Sequence, residues 1–341
     1  NINKVIGPKL EGVDAKDQLT VDTTMLELDG TENKSKLGAN SILGVSIAAA
    51  RLAALSEDAE FYEWVANLRE NKAFALPVPY ANIINGGKHA GNDLKIQEFM
   101  VVPKGKDFAE NARVCIEIYH ALKSILEKKH GKSAINVGDE GGFAPPLKTT
   151  ETAIEEILKA AEEAGHDKKI SIALDCAASE FHQKGKYEVD GKIMDKDKLI
   201  EFYVHLAKKY PITSIEDPLA EDDFEGFTEA AAALKGVQVV GDDLLVTSTR
   251  RIRIAIENKC CSCLLLKANQ IGTVTESLEA AKLALSSKWN VMVSHRSGET
   301  NDDFIADFAV GVGAQQIKLG APCRGERVAK YNRLLEIEES L

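Results

Sequence analysis

The sequence predicts an α/β protein: a closed barrel of mainly parallel strands, preceded by a smaller, mostly helical part. Three observations lead there. Short apolar runs that read as strands alternate with segments of helical period through the second half of the chain. The polar ends of these runs recur at near-regular steps. From Asp175 to Glu216 is 41 residues, and the steps on to Asp242, Lys267, His295 and Lys318 are 26, 25, 28 and 23. Finally, neither GxGxxG nor GxxxxGK(S/T) occurs, so an open sheet with a glycine-rich nucleotide turn loses its main support. Regular βα units without that turn fit a closed barrel.

Taken in order, residues 1–70 read as helices and loops and form the smaller domain. Asp29-Gly30 marks a turn. The longest weakly polar stretch, "LGANSILGVSIAAARLAAL" (37–55), is interrupted by Asn40, Ser41, Ser46 and Arg51. It therefore reads as a packed helix and not as a membrane span. In "ALPVPYANIINGG" (75–87), Pro77, Pro79 and a glycine pair mark a boundary, so a second domain is expected over 71–341. "ISIALD" (170–175), "ITSIED" (212–217), "VQVVGDD" (237–243), "CLLLK" (263–267), "VMVSHR" (291–296) and "QIKLG" (316–320) are the expected strands. Helical segments lie at 196–210, 227–236 and 273–289. Strands this apolar are expected where both faces are covered, as in a parallel sheet.

Composition narrows the function. The chain has 341 residues, 44% apolar and 28% charged, as in globular proteins with a sizeable core. A net charge of −11 argues against a nucleic-acid surface and against binding to acidic membrane. A small anionic substrate stays compatible, because a bound divalent cation inverts the local field. The six cysteines include the run Lys259-Cys260-Cys261-Ser262-Cys263. A tetrahedral zinc site needs four ligands, usually from two separated pairs, and no second pair exists. The thiols are read as reduced, in a cytoplasmic protein.

Every expected strand ends in a functional group: Asp175, Glu216, Asp242, Lys267, His295, Lys318. In a βα barrel those ends converge on one face, where active sites are built. Three carboxylates meeting there repel unless they are protonated or bound to a metal, and an all-oxygen set suits Mg²⁺. Lys267, dehydrated and close to such a cation, is expected to have its pKa lowered toward duty as a base. His295, Arg296 and Lys318 gather positive charge for a substrate carrying a carboxylate and a phosphate. Upstream, "NGGKHAGND" (85–93) holds His89, "QEFM" (97–100) holds Glu98, and "GDEGGFAPP" (138–146) holds Glu140 among glycines. Glu140 supplies the acid half of an acid–base pair with Lys267.

The strings "NGGKHAGN", "QEFM", "VGDEGGFAP", "SIEDPLAEDD", "GDDLLVT", "LLLKANQIGT", "SHRSGET" and "QIKLGAP" follow one another in an order that resembles the enolase family. The likeness extends to "LDGTENKSKLGANSILGVSIAAARLAA" in the smaller domain. The resemblance implies a modified TIM barrel, ββαα(βα)₆ with one early antiparallel strand, and a partial α+β N-terminal capping domain. It implies a glycolytic lyase, the reversible dehydration of 2-phosphoglycerate to phosphoenolpyruvate. It further implies that Asp175, Glu216 and Asp242 ligate Mg²⁺, that Lys267 removes the α-proton, and that Glu140, with Glu98 beside it, protonates the leaving hydroxide. His295 joins these as a catalytic group. His89, Arg296 and Ser297 are implied at the phosphate and Lys318 at the carboxylate, with Glu98, Glu216, Asp242 and His295 also bordering the substrate. A homodimer is implied as well. Family members carry a further N-terminal segment with a mobile serine-bearing loop, and a C-terminal tail. These residues alone are therefore expected to keep the first metal site and to lack loop closure. Two other readings compete: a superfamily member acting on a non-phosphorylated carboxylate, and a non-catalytic protein that binds other proteins at a surface. "SHRSGET" and "NGGKHAGN" argue against the first, and the full set of strand-end groups argues against the second.

Overall fold

The computed structural model describes residues 1–341. Strands β1 (Val78–Asn85) and β2 (Glu98–Pro103) come first, followed by two long helices, Phe108–His130 and Thr150–Glu163, and then β3 (Ile170–Asp175). A small antiparallel sheet follows, made of β4 (His182–Gln183), β5 (Lys186–Val189) and β6 (Lys192–Met194). Beyond it, β7 (Ile212–Glu216), β8 (Gln238–Gly241), β9 (Cys263–Leu266), β10 (Asn290–Ser294) and β11 (Gln316–Lys318) alternate with helices, and Gly325–Ser340 closes the chain. The barrel runs β1-β11-β10-β9-β8-β7-β3-β2. β2 is antiparallel to both its neighbours, and the other pairings are parallel. The element order is thus ββαα(βα)₆.

The six strands expected from periodicity form. β1 and β2 lie outside the expected strands, and the stretch 75–87, expected as a boundary, contains the whole of β1. Prolines disguise it: Pro77 precedes the strand, and Pro79 lies inside it with no N–H to donate. The long step from Asp175 to Glu216 also has its cause here. The β4–β6 sheet is inserted between β3 and its helix, Lys196–Lys209.

The barrel interior is layered. Tyr80, Met100, Val102, Ala173, Val240, Cys263, Leu265 and Met292 fill its middle as an apolar plug. At the end where the parallel strands enter, Gln238 donates to Ser214 Oγ at 3.1 Å and to Gln316 Oε1 at 2.9 Å. Side chains on one face of a strand recur every second residue. Two residues beyond Ala173, Val240, Leu265 and Met292 therefore stand Asp175, Asp242, Lys267 and Ser294, and two beyond Ser214 and Gln316 stand Glu216 and Lys318. On the antiparallel β2, Glu98 stands two residues before Met100. The apolar layer is the floor, and the ionisable layer is what period two places above it.

The main core, 79 buried residues, lies between the strands and the surrounding helices. The N-terminal helices Gln18–Asp29, Ala39–Ser56 and Phe61–Arg69 have a small core of their own, Ile6, Val21, Met25, Leu37 and Ile42. Helix Ala39–Ser56 is long and apolar enough to cross a membrane by length and composition. Here it packs on one face, burying Ile42, Leu43, Ser46, Ala50, Ala53 and Ala54. Ser46 Oγ accepts the N–H of Val274 at 2.9 Å, and Arg51 reaches Asp302 and Asp303 at 3.0 Å, so this helix is tied to the barrel. None of the six cysteines forms a disulfide.

Candidate active site

Register builds the centre of the site. Glu98 lies opposite Asp175 in the β2–β3 pair, and Asp175 lies opposite Glu216 in the β3–β7 pair. Three buried carboxylates side by side need a cation, and Lys318 reaches in from β11. Its Nζ lies 2.7 Å from Asp175 Oδ2, 3.0 Å from Glu216 Oε1 and 3.2 Å from Glu98 Oε1. Asp242 is paired separately, with Lys267, and Gln270 Nε2 donates to its other oxygen at 3.0 Å.

A second group hangs over this floor from the loops. Asn82 Nδ2 holds Glu140 Oε2 at 2.9 Å. Glu140 Oε1 lies 3.6 Å from His89 Nδ1 and 3.6 Å from His295 Nε2. Ser297 Oγ lies 3.0 Å from His89 Nε2. The Glu140 loop is locked against the exit of β11, where Ala321 N–H donates to Glu140 O at 2.9 Å. That contact needs glycine on each side. Gly141 has φ +82°, and a Cβ there would meet Cys323 O at 2.7 Å; Gly320 has φ +83°, and a Cβ there would meet Glu140 O at 2.7 Å. Both groups face one cavity of about 250 Å³. Arg296 stands exposed at its rim, donating to Asn269 Oδ1 at 2.8 Å.

The electrostatics show a site with more carboxylates than cations. Burial, then a neighbouring carboxylate, pushes Glu98, Glu216 and Asp217 well above the carboxylate range. The same two causes push Asp243 up to about 6. Asp175 is held low: burial raises it, but Lys318 outweighs burial. Burial also works against the Lys318 ammonium, and Asp175 and Glu216 more than offset it. His295 is pushed down to about 3, chiefly by burial, so it is neutral at pH 7. Burial raises Glu140, and its surroundings lower it by more; with His295 neutral, Lys318 and the hydrogen bond from Asn82 carry that pull. Glu98 thus favours its protonated form and Glu140 its charged form.

Two opposing effects act on Lys267. Burial does push its pKa down, but the Asp242 carboxylate in contact with it outweighs burial and holds the ammonium above its ordinary range.

The structure gathers Asp175, Glu216, Asp242, Lys267, His295 and Lys318 on one face, with Glu98, Glu140, His89 and Ser297 around them and Arg296 at the edge. The trio of acids is divided between two lysines. The tight acid clusters, with ligand atoms within 4.8 Å, are His89–Glu98–Glu140 and Asp217–Asp242–Asp243. Asp217 had no role in the sequence reading. It is buried at φ +41°, with Oδ1 accepting the Asp242 N–H at 3.0 Å and Oδ2 the Asp243 N–H at 2.7 Å. Its place beside Glu216 in "SIED" was its only signal. Asn82 and Arg327 were missed as well, because neither ends an expected strand.

A divalent cation fits these residues. Glu98 Oε2 is buried with no partner, and the neighbouring acids Asp217, Asp242 and Asp243 bring ligand oxygens within 4.8 Å of one another. All-oxygen donors of this kind suit a hard divalent ion.

A ββαα(βα)₆ barrel that sets a buried lysine beside one set of carboxylates and a close pair of acids beside another is that of an enzyme built for acid–base chemistry, with oxygen donors that suit a metal. Similarity to known proteins makes this specific. The chain matches "Enolase, N-terminal domain" over residues 1–65 and "Enolase, C-terminal TIM barrel domain" over residues 73–341. It is 50% identical to an enolase of Methanococcus vannielii over 344 residues, covering 100% of this chain and 80% of the relative. It is also 50% identical to an enolase of Methanocaldococcus jannaschii over 342 residues, and 51% identical to one of Methanococcus maripaludis strain C7 over 344 residues, with the same shares covered. The chain belongs to the enolase family. Its activity is that of a phosphopyruvate hydratase, a carbon–oxygen lyase of glycolysis acting on a small phosphorylated acid with a divalent metal cofactor.

Proposed function

We propose that this mouth divides the proton work of dehydrating 2-phosphoglycerate between Lys267 and the Glu98–Glu140 pair. Lys267 takes the proton α to the carboxylate, and Glu140, in exchange with Glu98, gives a proton to the departing hydroxyl. The observation that carries the reading is that a buried lysine and two close carboxyls, Glu98 and Glu140, with ligand oxygens within 4.8 Å of each other, border the same cavity of about 250 Å³, a size suited to a small phosphorylated acid. Lys318 offsets the charge that grows on the substrate carboxylate. His89, Arg296 and Ser297 receive the phosphate, while Glu98, Glu216, Asp242 and His295 border the rest of the substrate.

Asp175, Glu216 and Asp242 are the residues that would hold the metal, taken here as Mg²⁺ because the donors are all oxygen. When bound, it supplies positive charge for the substrate carboxylate. Were Asp242 to serve as a ligand, Lys267 would lose the partner that holds its proton, and its burial would favour the basic form.

We also propose that residues 1–70 act as a cap and residues 71–341 as the catalytic barrel. A cytoplasmic location is supported by the free state of all six cysteines. Homodimer assembly rests on the family resemblance and is tested by light scattering.

The direct test is phosphoenolpyruvate formation from 2-phosphoglycerate with Mg²⁺ and with a chelator. Metal-dependent turnover supports the proposal. Metal-dependent binding of a substrate analogue with no turnover favours a binding protein that kept the fold.

A further inference from the structure

Arg327, on helix Gly325–Ser340, is fully buried and forms no salt bridge. A guanidinium with no carboxylate in contact is costly to bury. Its hydrogen bonds explain why it stands there. One terminal nitrogen donates to His295 Nδ1 at 2.7 Å and to Arg296 O at 2.8 Å. The other donates to Ser297 O at 2.8 Å and to Asp139 O at 3.0 Å. One planar fork therefore ties three consecutive residues after β10 to the residue preceding Glu140. A lysine, with its compact ammonium, cannot make the same fork.

The bond to His295 has a chemical consequence. A guanidinium donates and cannot accept. His295 Nδ1 must therefore present its lone pair, and the ring proton must sit on Nε2. That nitrogen is buried, has no other partner, and faces Glu140 Oε1 at 3.6 Å. We propose that Arg327 is a positioning residue that locks His295 in the neutral Nε2–H form, making it a fixed hydrogen-bond donor toward Glu140 and not a proton carrier. Protonating Nδ1 would set two donors against each other, so the ring cannot shuttle protons while Arg327 holds it. This rests on the reading of the mouth as the dehydration site, but its structural half does not depend on turnover.

The experiment uses ¹⁵N-histidine-labelled full-length protein at pH 7, with His295 assigned by its loss in His295→Gln. Long-range ¹H–¹⁵N correlation is expected to show a neutral ring protonated at Nε2. Arg327→Met removes every donor, and Arg327→Lys keeps the charge without the fork. In either variant that folds, the single-tautomer pattern is expected to give way to a mixture. kcat is expected to fall about 10²-fold, the scale for losing one preorganised donor, with KM changed only a few-fold. A wild-type ring protonated at Nδ1, or doubly protonated, overturns the proposal. So does an unchanged tautomer together with unchanged kcat in Arg327→Lys. Should the wild type show no turnover at all while the Nε2–H form is observed, the dehydratase reading fails and the positioning of His295 stands.

Discussion

Lys318 donates to Asp175 Oδ2 across 2.7 Å, joining the ends of two barrel strands that lie 143 residues apart in the chain. Glu216 and Glu98 share the same ammonium. This one cation keeps three adjacent buried carboxylates compatible with a folded barrel.

Replacing Lys318 by Met should therefore destabilise the metal-free protein by about 3–5 kcal/mol, the usual result of removing one partner from a buried ion cluster. Urea unfolding in a chelator measures it. Adding Mg²⁺ should recover more stability in the variant than in the wild type. An equal gain in both would mean that the metal and Lys318 do not serve the same carboxylates.

Lys267→Ala should abolish exchange of the α-proton of 2-phosphoglycerate with D₂O, a loss of about 10²-fold or more. Proton NMR of the substrate pool follows this directly. Exchange at the wild-type rate would take the base role away from Lys267.

Asp217→Asn should weaken Mg²⁺ binding about 10–100-fold, the range found for outer-shell groups that orient ligands. Asp217 accepts two backbone N–H groups with its two oxygens, whereas an amide offers one acceptor and turns a donor toward the other N–H. Calorimetric titration with Mg²⁺ provides the readout. Unchanged affinity would leave Asp217 with a folding role only.

Acid should expose the neutral state of His295. Its folded pKa of about 3 lies below the unfolded value near 6.5, so the unfolded chain binds the extra proton between those limits. Stability from this group is therefore complete above about pH 6.5 and is lost as the pH falls toward 3. The difference in unfolding free energy between wild type and His295→Asn should shrink over that window, by an amount on the order of a few kcal/mol. A difference that stays constant with pH would mean the ring is already charged in the folded protein.

Much of the site could be read from the chain because strand ends are local features. An apolar run that stops at Asp175, Glu216 or Lys318 announces both a buried strand and a group at its mouth. β1 was not legible, since Pro77 and Pro79 speak against a strand and only pairing with β11 and β2 overrides them. Asn82 was hidden with it. Arg327 lies in the closing helix among other charged residues, and nothing local marks it as the buried one.

By itself, the sequence determined which groups each strand carries to the barrel mouth, because period two and the apolar floor leave them only one face. Tertiary structure alone decided how those groups pair. Closure of the barrel and its register set which carboxylates share Lys318, that Asp242 holds Lys267 in its charged form, and that a guanidinium from the last helix reaches His295. Those choices depend on distances between segments far apart in the chain, and local pattern carries no information about them.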